Sequence, residues 1–241
     1  MRRDQLEHAI RTACQIIGQP AVIIVGSQAI LGSYREDDLP VEATMSVEVD
    51  VLPIADSNTV TAEWADLIEG VAGEWSPFEE QHGFSIDGVD LDTAILPQGW
   101  RARLVQVQNL NTAAPSGQPQ FIGWCLDPED LCVAKLCAHR EKDLNFVRAL
   151  YKAGLVDATV IADRLGQVDA RHQQAAGVAV RWLAALPAPS DDVSGDTLAP
   201  HSSTAEAGPP WERATTRVDG AAHERRTPPR SQRPPGPTRG R

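Results

Sequence analysis

"VIIVGSQAILG", residues 22–32, sets a run of β-branched residues against a Gly-Ser pair, and a helix-like pattern begins at once. The apolar run "AVIIV" (21–25), bounded by the breakers Gly18 and Pro20 on one side and Gly26 on the other, reads as a buried strand. A strand that ends in Gly-Ser and enters a helix aims free backbone N–H groups at whatever lies beyond its end. That arrangement suits a phosphate. Gly26 allows close approach to the backbone, and the Ser27 hydroxyl adds one donor. Ordinary strand-to-helix turns share this pattern, so its meaning depends on the strands and helices downstream.

Downstream of the turn lie a polar, Pro-containing loop over 33–45 and then "SVEVDVLP" (46–53), which alternates strictly. Val47, Val49 and Val51 fall on one face and Ser46, Glu48 and Asp50 on the other, a separation that a β-strand produces. Glu48 and Asp50 therefore project from the same face, and paired hard-oxygen donors at that spacing suit Mg²⁺ or Mn²⁺. A solvated strand face has the same pattern. Further along, "GFSIDGVDLDTAIL" (83–96) reads as a hairpin turning at Asp87-Gly88, a turn dipeptide. Its second strand carries Asp90 and Asp92 on one face, and either supplies a third carboxylate for a two-metal clamp. "LVQVQNL" (104–110) is a further strand candidate.

Helices flank these strands. Leu6, Ile10, Cys14 and Ile17 recur at helical spacing near the N-terminus, and Trp64, Leu67, Ile68 and Val71 mark a second helix facing a core. From Asp127 the pattern becomes helical throughout. Asp127 is an N-cap with Pro128 at the first helical position, and Glu129 and Asp130 favour the positive end of the dipole. That helix carries Lys135; "EKDLNFVRALYKAG" comes next with Gly154 suited to end it, then helices near 157–165 and 168–185. "HREKD" (139–143) also fits a solvated salt-bridge cluster.

Composition bounds the rest. The chain has 241 residues and a formal net charge of −11, divided unevenly. Residues 201–241 hold eight Arg against four acidic residues, which leaves −15 on residues 1–200. An acidic body is a poor general magnet for nucleic acid, so a polyanionic ligand needs a local basic patch or a bound metal. From residue 187 the chain is rich in Pro, Gly, Ser, Thr and Arg and is expected to be a disordered Pro/Arg-rich tail. Cys14, Cys125, Cys132 and Cys137 form no CxxC pair and read as buried free thiols in a reducing compartment. No apolar run approaches a membrane span, and the expected location is cytoplasmic.

The combination "IIVGSQAILG", a polar loop and "SVEVDVLP" resembles the signature of the nucleotidyltransferase superfamily with the DNA polymerase beta-like fold. More specifically, with "LDPEDLCVAKLCAHREKDLNFVRAL", it is similar to bacterial minimal nucleotidyltransferases related to abortive-infection toxins. The resemblance covers roughly residues 5–165. It implies an α+β fold: a small mixed β-sheet flanked by helices over 1–126, a helical part closing the nucleotide site over 127–186, and the tail over 187–241. It further implies Mg²⁺- or Mn²⁺-dependent transfer of a nucleoside monophosphate from an NTP to a hydroxyl acceptor. That acceptor would be a tRNA 3′ end or a protein side chain, in a toxin–antitoxin or phage-defence setting with a possible cognate antitoxin and no membrane. By the same resemblance Gly26 and Ser27 hold phosphates, Glu48, Asp50 and Asp92 bind metal, and Asp92 or Asp90 serves catalysis. Lys135, Arg140 and Lys142 neutralise phosphate charge, Lys135 also acting in catalysis, and Asp143 orients one of them. Two departures stand out: Glu48 replaces the commoner Asp, and twenty residues separate Ser27 from Glu48 where about ten is usual. They fit the alternative of a catalytically degenerate nucleotide-binding regulator or antitoxin.

Overall fold

Five short strands form one mixed sheet in the order β3-β2-β1-β5-β4. These are β1 (Ala21–Ile24), β2 (Glu48–Pro53), β3 (Ser85–Gly88), β4 (Val105–Val107) and β5 (Ile122–Cys125). The computed structural model describes residues 1–187; the tail expected from 187 onward lies, from 188 on, outside them. β1 pairs antiparallel with β2 and parallel with β5, β2 pairs parallel with β3, and β4 closes the far edge antiparallel to β5. The α+β class and the mixed sheet match the sequence reading.

Two helices lie against the sheet. α1 (Arg3–Ile17) buries Leu6, Ala9, Ile10, Ala13, Cys14 and Ile17, the stripe its periodicity forecasts. α3 (Asn58–Ala72) begins at Ser57, whose Oγ accepts the Val60 N–H at 3.3 Å, and buries Thr61, Ala65, Ile68 and Ala72. Of the four apolar residues expected to face the core there, only Ile68 is fully buried; Leu67 and Val71 are exposed. The short helices α2 (Val41–Thr44) and α4 (Pro77–His82) sit in the connections, and α4 is one that periodicity does not reveal.

The expected hairpin over 83–96 does not form. β3 ends at Gly88, and the residues after it leave the sheet. The physical reason is that Gly88 admits a helix and does not turn the chain: a Cβ placed there would lie 1.9 Å from the Ala65 backbone oxygen of α3. β3 pairs instead in parallel with β2, which it follows through α3 and α4, and no strand forms over 89–96 to serve as its antiparallel hairpin partner. A similar demand hides β5. A Cβ at Gly123 would fall 2.3 Å from Ile10 Cδ1, so this central strand carries a glycine where α1 crosses it.

The helical half comprises α5 (Pro128–Ala138), α6 (Glu141–Lys152), α7 (Ala158–Leu165) and α8 (Gln173–Ala184), close to the forecast spans. Asp127 caps α5 as expected, its Oδ1 accepting the Glu129 N–H at 3.1 Å. A buried ionic network fixes this end. Arg103 donates two hydrogen bonds to Asp130, at 2.8 and 2.9 Å, and Arg164 lies 3.0 Å from the same fully buried carboxylate while also pairing with Asp127. The orientation of α5, and with it of Lys135, is set by these contacts. All four cysteines are buried free thiols. Among the described residues no helix is long and apolar enough to cross a membrane.

Candidate functional site

The end of β1 and the middle of β2 meet at the site. The Val25 N–H donates to the Asp50 carbonyl at 3.1 Å, which brings Gly26 beside Asp50. A Cβ on Gly26 would lie 1.5 Å from Asp50 Oδ2, so the carboxylate occupies the space that any larger residue would need. Gly26 has φ −86° and ψ −167°, a backbone open to every residue. Its requirement is room, not conformation. Ser27 then opens a 3-10 helix (Ser27–Gly32), whose buried Gln28 donates through Nε2 to the Ser46 carbonyl at 2.9 Å. The turn is thereby tied to the strand that carries Glu48 and Asp50.

A third carboxylate joins them from β3. In the parallel register Asp50 lies opposite Asp87, and Glu48 opposite Ser85. Burial pushes the Asp50 carboxyl up to about 6, with repulsion from Glu48 and Asp87 acting in the same direction and Lys135 and Lys142 opposing it. Asp87 is raised as well, chiefly by burial and then by Glu48, Glu69 and Glu74, against a 3.2 Å hydrogen bond from Ser85 Oγ.

The cations come from α5 and α6. Lys135 is 8% exposed, and its Nζ lies 3.0 Å from Oδ1 of the fully buried Asp143 and 4.7 Å from the Phe146 ring centroid. His139 ends α5 in the left-handed region (φ 55°), after which Arg140 turns back so that its Nε reaches Asp143 Oδ2 at 2.6 Å. Burial alone would raise the Asp143 carboxyl, but the Arg140 and Lys135 contacts outweigh it and hold the group below the ordinary carboxylate range. Lys142 Nζ stands 3.6 Å from Glu48 Oε1. Glu48 and Asp50 thus feel Lys135, Arg140 and Lys142 beside the Gly26-Ser27 turn, with Asp87 opposite Asp50 on β3.

Residues 4–174 match the model of a family described as nucleotidyltransferase of unknown function (DUF6036). The chain belongs to this family. It is a nucleotidyltransferase. No curated protein and no solved structure matches it.

Within this nucleotidyltransferase the structure gathers Gly26, Ser27, Glu48, Asp50, Lys135, Arg140, Lys142 and Asp143 from the sequence-derived set. Asp90 and Asp92 sit elsewhere, past the end of β3. Asp90 Oδ1 accepts the Asp92 N–H at 3.0 Å and the Thr93 hydroxyl at 3.1 Å, closing a local turn. Asp92 is exposed and lies 3.9 Å from Arg171 Nη2. Sequence reasoning missed Asp87 because it assigned Asp87-Gly88 to a turn. The alternation of Phe84 and Ile86, both buried, with Ser85 and Asp87 was the signal that could have found it.

The donor chemistry fits a hard divalent cation. Glu48, Asp50 and Asp87 offer only oxygen ligands, and burial, with their mutual repulsion adding to it, raises the Asp50 and Asp87 carboxyls. As placed, however, no three His, Cys, Asp or Glu side chains among the described residues converge closely enough to hold a metal ion, and Glu48 leans toward Lys142; binding one would require the three carboxylates to draw together.

Proposed function

We propose that this nucleotidyltransferase moves a nucleoside monophosphate from an NTP to a hydroxyl acceptor with the help of Mg²⁺ or Mn²⁺. One observation carries the reading: Asp50 is flanked by Glu48 and Asp87, is packed against the Gly26 backbone, and experiences the charges of Lys135 and Lys142. In this reading Glu48, Asp50 and Asp87 hold the cation, which when bound supplies Lewis-acid stabilisation of charge on the phosphoryl oxygens. The Gly26-Ser27 turn receives the β and γ phosphates through backbone N–H groups and the Ser27 hydroxyl. Lys135, Arg140 and Lys142 offset phosphate charge, and Asp143 positions Lys135 and Arg140 through the hydrogen bonds it accepts from both.

The acceptor oxygen attacks the α-phosphorus, forming a new P–O bond, and the bond to the bridging oxygen breaks as pyrophosphate leaves. The hydroxyl proton passes to a carboxylate. No covalent enzyme intermediate is needed; positioning and charge neutralisation supply the catalysis. The acceptor is a tRNA 3′ end or a protein side chain, in a toxin–antitoxin or phage-defence setting in which a cognate antitoxin would be a partner.

The test compares Asp87→Asn with Asp92→Asn, measuring transfer of label from α-phosphate-labelled NTPs and Mn²⁺ binding by calorimetry. The expected outcome is a loss of at least about 100-fold in transfer for Asp87→Asn, with weakened Mn²⁺ binding, and near wild-type behaviour for Asp92→Asn. The reverse pattern would return the third carboxylate to Asp92. The alternative, a catalytically degenerate nucleotide-binding regulator or antitoxin, draws support from the Lys142–Glu48 pairing, which engages one cation ligand internally. NTP binding without pyrophosphate release would favour it.

A further inference from the structure

Among the described residues, α3 leaves one face without a partner. Leu67 and Val71, one turn apart, are 46% and 48% exposed, and Trp75 just beyond the helix is 87% exposed. Trp75 holds φ 65°, a region that costs a bulky residue energy, and is kept there by its N–H bond to Glu79 Oε2 at 2.7 Å. A large aromatic ring is thus presented to solvent on a fixed backbone. Beside it opens a cavity of about 600 Å³, lined by Asp66, Glu69, Gly70, Glu74 and Trp75 among others. Gly70 leaves it open: a Cβ there would meet nothing within 4 Å.

The cavity borders the site already described. α3 rests on β3 at Gly88, next to Asp87, and Glu69 and Glu74 both act electrostatically on Asp87. Helical spacing puts Glu69 on one flank of Gly70 and Leu67 and Val71 on the other. A visitor seated over Gly70 would therefore touch Trp75, carboxylates toward Asp87, and an apolar margin on the far side. Three acidic residues favour a cationic visitor and repel a polyanion such as RNA. Lys or Arg over the Trp75 ring adds cation–π attraction. The Leu67–Val71 margin extends the face by a further helical turn, about 6 Å along α3, which a small cation would leave uncovered.

We infer that this face of α3 docks a Lys/Arg-rich segment of a partner protein, and that this segment carries the hydroxyl that receives the nucleotide. The inference rests on the proposed role of Asp87 for its second half only; docking stands on the surface itself.

The experiment measures fluorescence anisotropy of a labelled Lys/Arg-rich peptide bearing one Ser, with the full chain at low salt and no nucleotide. Its counterpart, with Glu at every Lys and Arg position, and a labelled tRNA are measured alongside. The expected result is at least about tenfold tighter binding of the basic peptide than of either comparator. Trp75→Ala and Asp66→Lys should each weaken it about fivefold or more, with circular dichroism and NTP binding unchanged. Equal binding of both peptides, variants that bind like wild type, or tRNA binding that Trp75→Ala abolishes would each overturn the docking surface. So would a mass halved by Trp75→Ala in light scattering, which would assign the face to a second copy. The Asp87→Asn protein separates the two proposals: it should bind the basic peptide normally and fail to label its Ser. Normal labelling by Asp87→Asn would refute the catalytic reading and leave docking intact, whereas normal transfer by wild type to the acidic peptide would refute the acceptor assignment.

Discussion

Replacing Asp50 by Asn should make the metal-free protein more stable. The carboxyl is held at about 6, chiefly by burial and then by Glu48 and Asp87, whereas an unfolded Asp titrates near ~3.9. The folded state therefore grips the proton more tightly than the unfolded state does. Ionising Asp50 costs the fold stability between about pH 4 and pH 6, and the cost is fully in force above that window. Roughly two pH units at 1.36 kcal/mol each set a ceiling of about 3 kcal/mol. Partial solvent access lowers this to about 1–2 kcal/mol. Asn keeps the shape that fits against Gly26 and carries no charge. For a domain of this size the gain corresponds to about 2–8 °C in Tm. Thermal unfolding in a chelator, tracked at about pH 8 and again near pH 4, would measure it. The gain should be present at the higher pH and gone at the lower. An Asn variant no more stable than wild type at the higher pH, or a gain independent of pH, would refute the account of Asp50 as an uncompensated buried charge. Added Mn²⁺ should then stabilise the wild type and not the variant.

The other predictions concern contacts. Gly26→Ala should cost about 1–3 kcal/mol by overpacking, and less than half of that in an Asp50→Ala background; a double-mutant cycle in urea would show the coupling, and additivity would contradict the close packing of the two residues. Asp143→Asn removes the carboxylate in direct contact with the buried Lys135 ammonium and should destabilise by about 3–5 kcal/mol; a loss below about 1 kcal/mol would mean that Asp50 or solvent takes over the charge. Gly88→Ala pits a Cβ against the Ala65 backbone oxygen, which no rotamer change relieves, and should cost about 2–3 kcal/mol in denaturant unfolding; a neutral result would move α3 off β3.

Much of the fold is legible in local pattern. The apolar run of β1, the alternation of β2, the Asp127-Pro128 start of α5 and the stripe on α1 each record one element's own burial. What escaped depends on partners distant in sequence. Glycine reads as punctuation, yet Gly26, Gly88 and Gly123 mark places where Asp50, Ala65 and Ile10 press in. One missing Cβ serves a turn and a close approach equally well, and sequence spacing does not separate them. The site divides along the same line. Glu48 and Asp50 share a strand, and Lys135, Arg140 and Asp143 share one helix junction, so local spacing found them. Asp87 reaches Asp50 through a parallel pairing across α3, which no local pattern encodes. Leu67 and Val71 look like core residues because periodicity reports an apolar face and not what covers it.

The contact between Gly26 and Asp50 gives this chain a one-way door in evolution. While the carboxylate is present, any side chain at 26 collides with it, so a substitution there carries a steric cost. Once a lineage loses Asp50, the space falls vacant and residue 26 is free to drift to Ala, Ser or larger. A later return of Asp at 50 would then meet an occupied site and be rejected by sterics, whatever its benefit to activity. Descendants that have abandoned catalysis should therefore change at 50 before they change at 26, and a return to function would have to restore the glycine before the carboxylate.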